Sequence, residues 1–170
     1  MGRVYDPTVP RHVLLTGYYA RFGPPREAAA YAERMLELGG GPERVSVVGL
    51  LASLTLSTAR ARLGALPGAA EALTAGLLVL RQVDWPRFVP HVAYCAALIA
   101  ALRDESEVAL GLLHSLWRHP ALECLVRDDA EALFEALDVR PPEDGAAGQD
   151  ASVLATVTEL LEAWSSEPSR

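Results

Sequence analysis

No lysine occurs anywhere in the 170 residues: all fifteen basic side chains are arginine, against 22 Asp and Glu, for a net charge of −7. An acidic surface repels phosphate, so direct binding of nucleic acid is disfavoured. Cysteine is nearly absent too. Cys95 and Cys124 both sit inside apolar helical patterns, too few and too embedded for a disulfide framework, which points to a reduced, cytoplasmic setting. Uninterrupted apolar runs are missing. VSVVGLLASLTLSTARARLG (45–64) comes nearest to a membrane span and is broken by Ser, Thr and Arg, and the opening MGRVYDPTVPRH has no signal-peptide core. Neither Gly-x-Ser-x-Gly nor His-Glu-x-x-His occurs, nor a phosphate-binding glycine loop. These absences lead us to expect a soluble protein that is not an enzyme, carries no cofactor and contacts no membrane. The lack of Lys beside abundant Ala, Gly, Leu, Pro and Arg fits a GC-rich bacterial coding sequence.

What remains is 51% apolar, enough for one well-buried domain. Apolar residues recur at helical spacing and nowhere alternate as in a strand, so the fold class is all-α. Prolines mark helix starts: Pro10 behind a Thr8 cap, Pro42, and Pro86 behind an Asp84 cap. FGPP, LGGGP, GALPG and RHP are breakers. The spacing predicts helices over 9–22, 25–38, 43–63, 67–82, 85–102, 105–118 and 121–138, joined by connections short enough for antiparallel neighbours. DVRPPEDGAAGQD (138–150) has little to bury, so 139–150 reads as an acidic linker between a domain at 1–138 and a C-terminal segment at 151–170. In that segment Val153, Leu154, Val157, Leu160, Leu161 and Trp164 share one face. Such a helix is marginal alone and should dock, either as a cap on the preceding helices or as a homodimer contact.

Self-comparison gives the strongest signal. ARFGPPREAAAYAERML, ARLGALPGAAEALTAGLL and ALRDESEVALGLLHSLW, starting at residues 20, 61 and 101, align about 40 residues apart. Ala20, Ala61 and Ala101 coincide, as do Gly23, Gly64 and Asp104, and then Ala28, Ala69 and Ala109. A small residue lets paired helices approach, and Gly or Asp tolerates a left-handed turn between them. Further on, Ala32, Leu73 and Leu113, then Met35 or Leu36, Leu77, and Leu116 or Trp117 make the packing face. Helix pairs repeated in this way bury their apolar surface by stacking.

In these residues the chain resembles the tetratricopeptide-repeat superfamily over roughly residues 9–138. LRDESEVALGLLHSLWRHPALECLVRDDAEALFEAL is similar to the closing segment of repeat regions in large bacterial transcriptional and signalling regulators. The resemblance implies hairpins stacked as a right-handed superhelix of about three repeats, with residues 102–138 closing the array. It also implies a concave surface lined by Val13, Gly17, Arg21, Leu54, Thr58, Arg62, His91, Tyr94 and Leu98. Arg21 and Arg62 are equivalent there, and paired guanidinium groups can grip a carboxylate. The family's asparagine and lysine pattern for holding a peptide carboxylate is not present.

His91, Cys95, His114 or His119, and Cys124 form a candidate zinc set. Helical register separates them: His114 falls on the wet face with Glu107, Gly111 and Arg118, and Cys124 aligns with Asp128, Glu131 and Glu135. No metal is expected. His119 belongs to a helix connection, where it can meet terminal carbonyls. Tyr18, Tyr19, Tyr31 and Tyr94 read as packing residues, Arg60 and Arg62 as solvating a helix end, and Arg21 and Arg62 as pairing with acidic neighbours such as Glu27 or Glu71. The expected function is a protein or peptide interaction scaffold, the partner-binding or sensory region of a bacterial regulator. The competing readings are a small-molecule sensor closing on Thr58, Arg62, His91 and Tyr94, and a homodimer formed through the C-terminal helix or the first repeat.

Overall fold

Two adjacent prolines start the first helix of the structure. In the computed structural model, which describes residues 23–39, 45–83, 85–120, 122, 124–142 and 150–166, Pro24 is the N-cap and Pro25 the first residue of α1 (Pro25–Leu38). Proline has no N–H to leave unsatisfied there. The helix expected at 9–22, its Thr8 and Pro10 start, Pro42 and Asp84 lie outside the described residues. Every element among the described residues is helical: α2 (Val47–Arg62), α3 (Leu66–Val83), a single 3₁₀ turn (Pro86–Phe88), α4 (Val89–Leu102), α5 (Ser106–Trp117), α6 (Cys124–Ala136) and α7 (Asp150–Ser166). The start of α2 differs from the expected one at residue 43. It begins after Ser46, whose hydroxyl accepts the Gly49 N–H at 2.9 Å and so satisfies a free backbone donor that Pro42 could not.

Two antiparallel hairpins, α2/α3 and α4/α5, lie side by side, with α1 packed against α2. The central helix α4 touches α2, α3, α5, α6 and α7, and its residues from Val92 to Ala100 are all buried. Helix α6 packs on α4 and α5 and turns Arg127, Asp128, Glu131 and Glu135 outward. The residues aligned by the repeat occupy like places: Ala28, Ala69 and Ala109, then Ala32, Leu73 and Leu113, then Met35, Leu77 and Leu116 are all buried.

The turns repeat in detail. At the end of α2 the Leu63, Gly64 and Ala65 amides donate to the carbonyls of Ala59, Ala61 and Arg60. After α4 the Arg103, Asp104 and Glu105 amides donate to Ile99, Ala101 and Ala100, and after α6 those of Leu137, Asp138 and Val139 donate to Leu133, Glu135 and Phe134. The middle residue is left-handed each time, with φ 76° at Gly64, 64° at Asp104 and 56° at Asp138. This helix ending closes the last free carbonyls. The third copy, 34 residues after Asp104, falls where the sequence reads as the beginning of a linker. Gly23 forms a bend before α1, and the element it would close lies outside the described residues. Because a Cβ is disfavoured at positive φ and a carboxylate is unfavourable at a helix C-terminus, Asp104→Gly should stabilise the fold by about 1 kcal/mol and Gly64→Asp should lower it by a similar amount. Urea midpoints of the two variants would show the opposite shifts.

Between α2 and α3 the backbones come close at Gly76, where an added Cβ would lie 3.3 Å from Leu54 and 3.4 Å from Ser53. Ser53 and Ser57, at 1% and 0% exposure, bury hydroxyl oxygens that have no hydrogen-bond partner among the described residues. An unsatisfied buried hydroxyl costs roughly 1–3 kcal/mol, and alanine is the better helix former. Ser53→Ala and Ser57→Ala should therefore each raise the melting temperature, a direction opposite to that of most buried substitutions. A fall in either would refute this account of the junction.

Helix α7 uses the apolar face expected of it. Val153, Val157, Leu161 and Trp164 are buried against α3 and α4, and Leu154 and Leu160 are half-buried. It begins at Asp150, inside the expected linker, of which residues 143–149 lie outside the described set. No helix among the described residues is long and apolar enough to cross a membrane.

Candidate functional site

The second half of α2 is unusually rich in buried hydroxyls for a helix interior, and that of Thr58 meets α4. Thr58 Oγ1 donates to the Leu54 carbonyl one turn back at 3.1 Å and lies 3.4 Å from Cys95 Sγ. The thiol in turn points at the same carbonyl, 3.7 Å away. One position before Cys95, Tyr94 directs its phenol toward the Arg62 guanidinium, which hydrogen-bonds to it, with Asp129 of α6 nearby. A polar seam thus joins α2, α4 and α6 through Leu54, Thr58, Arg62, Tyr94, Cys95 and Asp129.

Burial governs the chemistry of the seam. Loss of solvation pushes the Tyr94 phenol up to about 12, with the negative Asp129 adding to it and Arg62 opposing. The Cys95 thiol is pushed up to about 11 for the same first reason, against its hydrogen bond with Thr58. Both groups keep their protons at neutral pH. The thiolate is the nucleophilic form, so Cys95 in this setting is a structural thiol.

The expected groove residues divide sharply. Val13, Gly17 and Arg21 lie outside the described residues. Leu54, Thr58, Tyr94 and Leu98 are buried at 4%, 7%, 7% and 9% exposure, so their side chains face neighbouring helices and do not line an opening. The reason is positional: α4 has α2 and α6 as well as its own hairpin partner packed against it, and residues aimed along that row are covered. Arg62 is exposed and His91 is half-buried, its ring 5.8 Å from that of Phe88 in a string that continues to Trp85. The Arg62 guanidinium hydrogen-bonds to Tyr94. The neighbouring Arg60 takes the acidic partner, Glu33 at 3.0 Å, and also donates to the Gly68 carbonyl at 3.1 Å.

The candidate zinc residues are dispersed. His114 is exposed and stacks on Phe134 at 5.5 Å, while His119 is buried, with Nε2 2.6 Å from Asp150. The Cys124 side chain lies outside the described residues. No three His, Cys, Asp or Glu side chains among the described residues are grouped so as to hold a metal ion. Two participants escape the sequence reading. Asp129 belongs to a charged helix start that looks like ordinary solvation, and Asp150 lies 31 residues from its partner.

No family model, curated protein or solved structure matches the chain. The fold and the seam therefore carry the functional reading.

Proposed function

We propose that the chain is a protein-interaction scaffold of the tetratricopeptide type, with α2, α4 and α6 as successive first helices of a stacked array. One observation supports this most: the same left-handed, three-bond turn at Gly64, Asp104 and Asp138 ends each of those helices. Helices ended alike and placed alike present like faces, which is how repeat arrays build a continuous binding surface. The polar outer side of α6 suits the end of such an array. Because Thr58 and Tyr94 are occupied by Cys95 and Arg62, the small-molecule alternative has fewer free groups to work with than the scaffold. Of the expected groove residues that are described, Arg62 is exposed and His91 half-buried, so these are the two that a partner would reach.

Reversing the charge at Arg62 tests the proposal. Proteins captured from the source cell on the intact chain should include one retained by the native protein and lost on Arg62→Glu, with far-UV circular dichroism unchanged. If everything captured binds both proteins equally, the scaffold does not work through this face.

A further inference from the structure

The two hairpins are not held together by their own seam alone. Helix α7 lies against α3 of the first hairpin and α4 of the second, whereas α2 and α6, the polar seam's other members, are not among its principal neighbours. Polar ties reach it from three different elements. At its start Asp150 meets His119, which follows α5. In its middle Thr158 receives a hydrogen bond from Arg81 near the end of α3. In its last turn the Trp164 indole N–H donates to Glu105 Oε2 at 3.0 Å, while Glu105 Oε1 accepts from Arg103 Nε at 2.8 Å and the Arg103 guanidinium lies 5.3 Å from the centre of the indole ring.

The repeat itself singles out this last contact. At the three equivalent turns the residues flanking the left-handed position are Leu63 and Ala65, Arg103 and Glu105, and Leu137 and Val139. Charge appears only in the middle copy, and both of its charged residues hold Trp164. A departure from the template that coincides with a tertiary contact is explained by that contact. At the same time α7 is less deeply embedded than the helix it covers: four of its side chains are buried where α4 buries eleven, and most of the others are exposed. Segments with few buried apolar side chains open at lower free energy than the core they cover.

We propose that α7 is a detachable brace. It bridges the two hairpins opposite the Thr58–Cys95 seam and sets the angle between them, with Glu105 and Trp164 as the latch, and its release lets the hairpins swing. The inference stands on the contacts of α7 and is independent of the scaffold reading.

Hydrogen exchange on the full chain, together with the distance between nitroxide labels placed through Pro67→Cys and Gly111→Cys, tests it. Both label positions are exposed, one at the start of α3 and the other on α5, and a side chain at residue 111 meets nothing within 4 Å. Cys124→Ser removes one native thiol, and Cys95 is shielded by burial. In the native chain α7 amides should exchange as a unit ahead of those of α4, with a single narrow label distance. Glu105→Gln takes the charge out of the latch and leaves one acceptor oxygen where there were two, and Trp164→Phe removes the indole donor. They should speed α7 exchange about tenfold or more, leave α4 protected, and broaden the distance distribution. Exchange of α7 in step with α4, in the native chain or in either variant, would overturn the proposal by making α7 part of the cooperative core. Faster α7 exchange with an unchanged distance would overturn it by showing that the hairpin angle does not depend on α7.

Discussion

Phe134→Ala should cost about 3–5 kcal/mol of stability, enough to leave a marginal domain largely unfolded at ambient temperature. Phe134 has no exposed surface. Its ring stacks with that of His114 at 5.5 Å and stands perpendicular to that of Trp117 at 5.7 Å, and the Arg127 guanidinium lies over the Trp117 ring at 4.9 Å. The Phe134 carbonyl also accepts the Val139 amide that closes the third left-handed turn. Removing the ring leaves a void where α6 seals α4 and α5, and close-packed interiors refill such voids only partly. His114→Ala, at an exposed position, removes only the stacking contribution of roughly 0.5–1.5 kcal/mol. Urea unfolding of the two variants gives the comparison. A Phe134→Ala loss no larger than that of His114→Ala would mean that α6 does not seal the core.

The second large effect is a loss of stability in alkali, confined to a definite window. The unfolded chain releases a cysteine proton near pH 9 and a tyrosine proton near pH 10, whereas in the folded chain Cys95 holds its proton to about 11 and Tyr94 to about 12. Below pH 9 both groups are protonated in both states and their contribution is fully present. Between pH 9 and 12 the unfolded state binds fewer protons, so stability falls as pH rises, by about 2–3 kcal/mol for each group. The chain has no lysine to titrate across the same range. Cys95→Ala should therefore flatten the lower part of the fall and Tyr94→Phe the upper part, as measured by denaturant midpoints from pH 8 to 12. An unchanged slope in both variants would place the alkaline titration elsewhere in the molecule.

The parts of the fold that were legible in the sequence are those in which one residue type has one physical use. Alanines at 28, 69 and 109 mark close helix approaches, and all three are buried; Gly64 and Asp104 mark left-handed turns, and both have positive φ. Asp138 obeys the same rule yet is masked by the prolines, glycines and carboxylates that follow it, which give the segment the composition of a linker. The groove was harder to read. Periodicity assigns Leu54, Thr58, Tyr94 and Leu98 to one side of their helices but does not tell whether that side faces solvent or another helix. Pairings across long stretches of chain, such as Glu105 with Trp164 and Arg81 with Thr158, have no local signature. The amphipathic pattern of α7 announces that it docks, whereas its resting place on α3 and α4 depends on the rest of the fold.

The central position of α4 also constrains the order in which the protein can assemble during synthesis. The α2/α3 hairpin joins neighbours in sequence and can form as soon as it leaves the ribosome. Helix α4 needs neighbours from both directions, and one flank stays open to water until α7, some fifty residues later, has emerged. A nascent chain paused before that point carries a half-covered apolar helix, the kind of surface that chaperones recognise and that promotes aggregation.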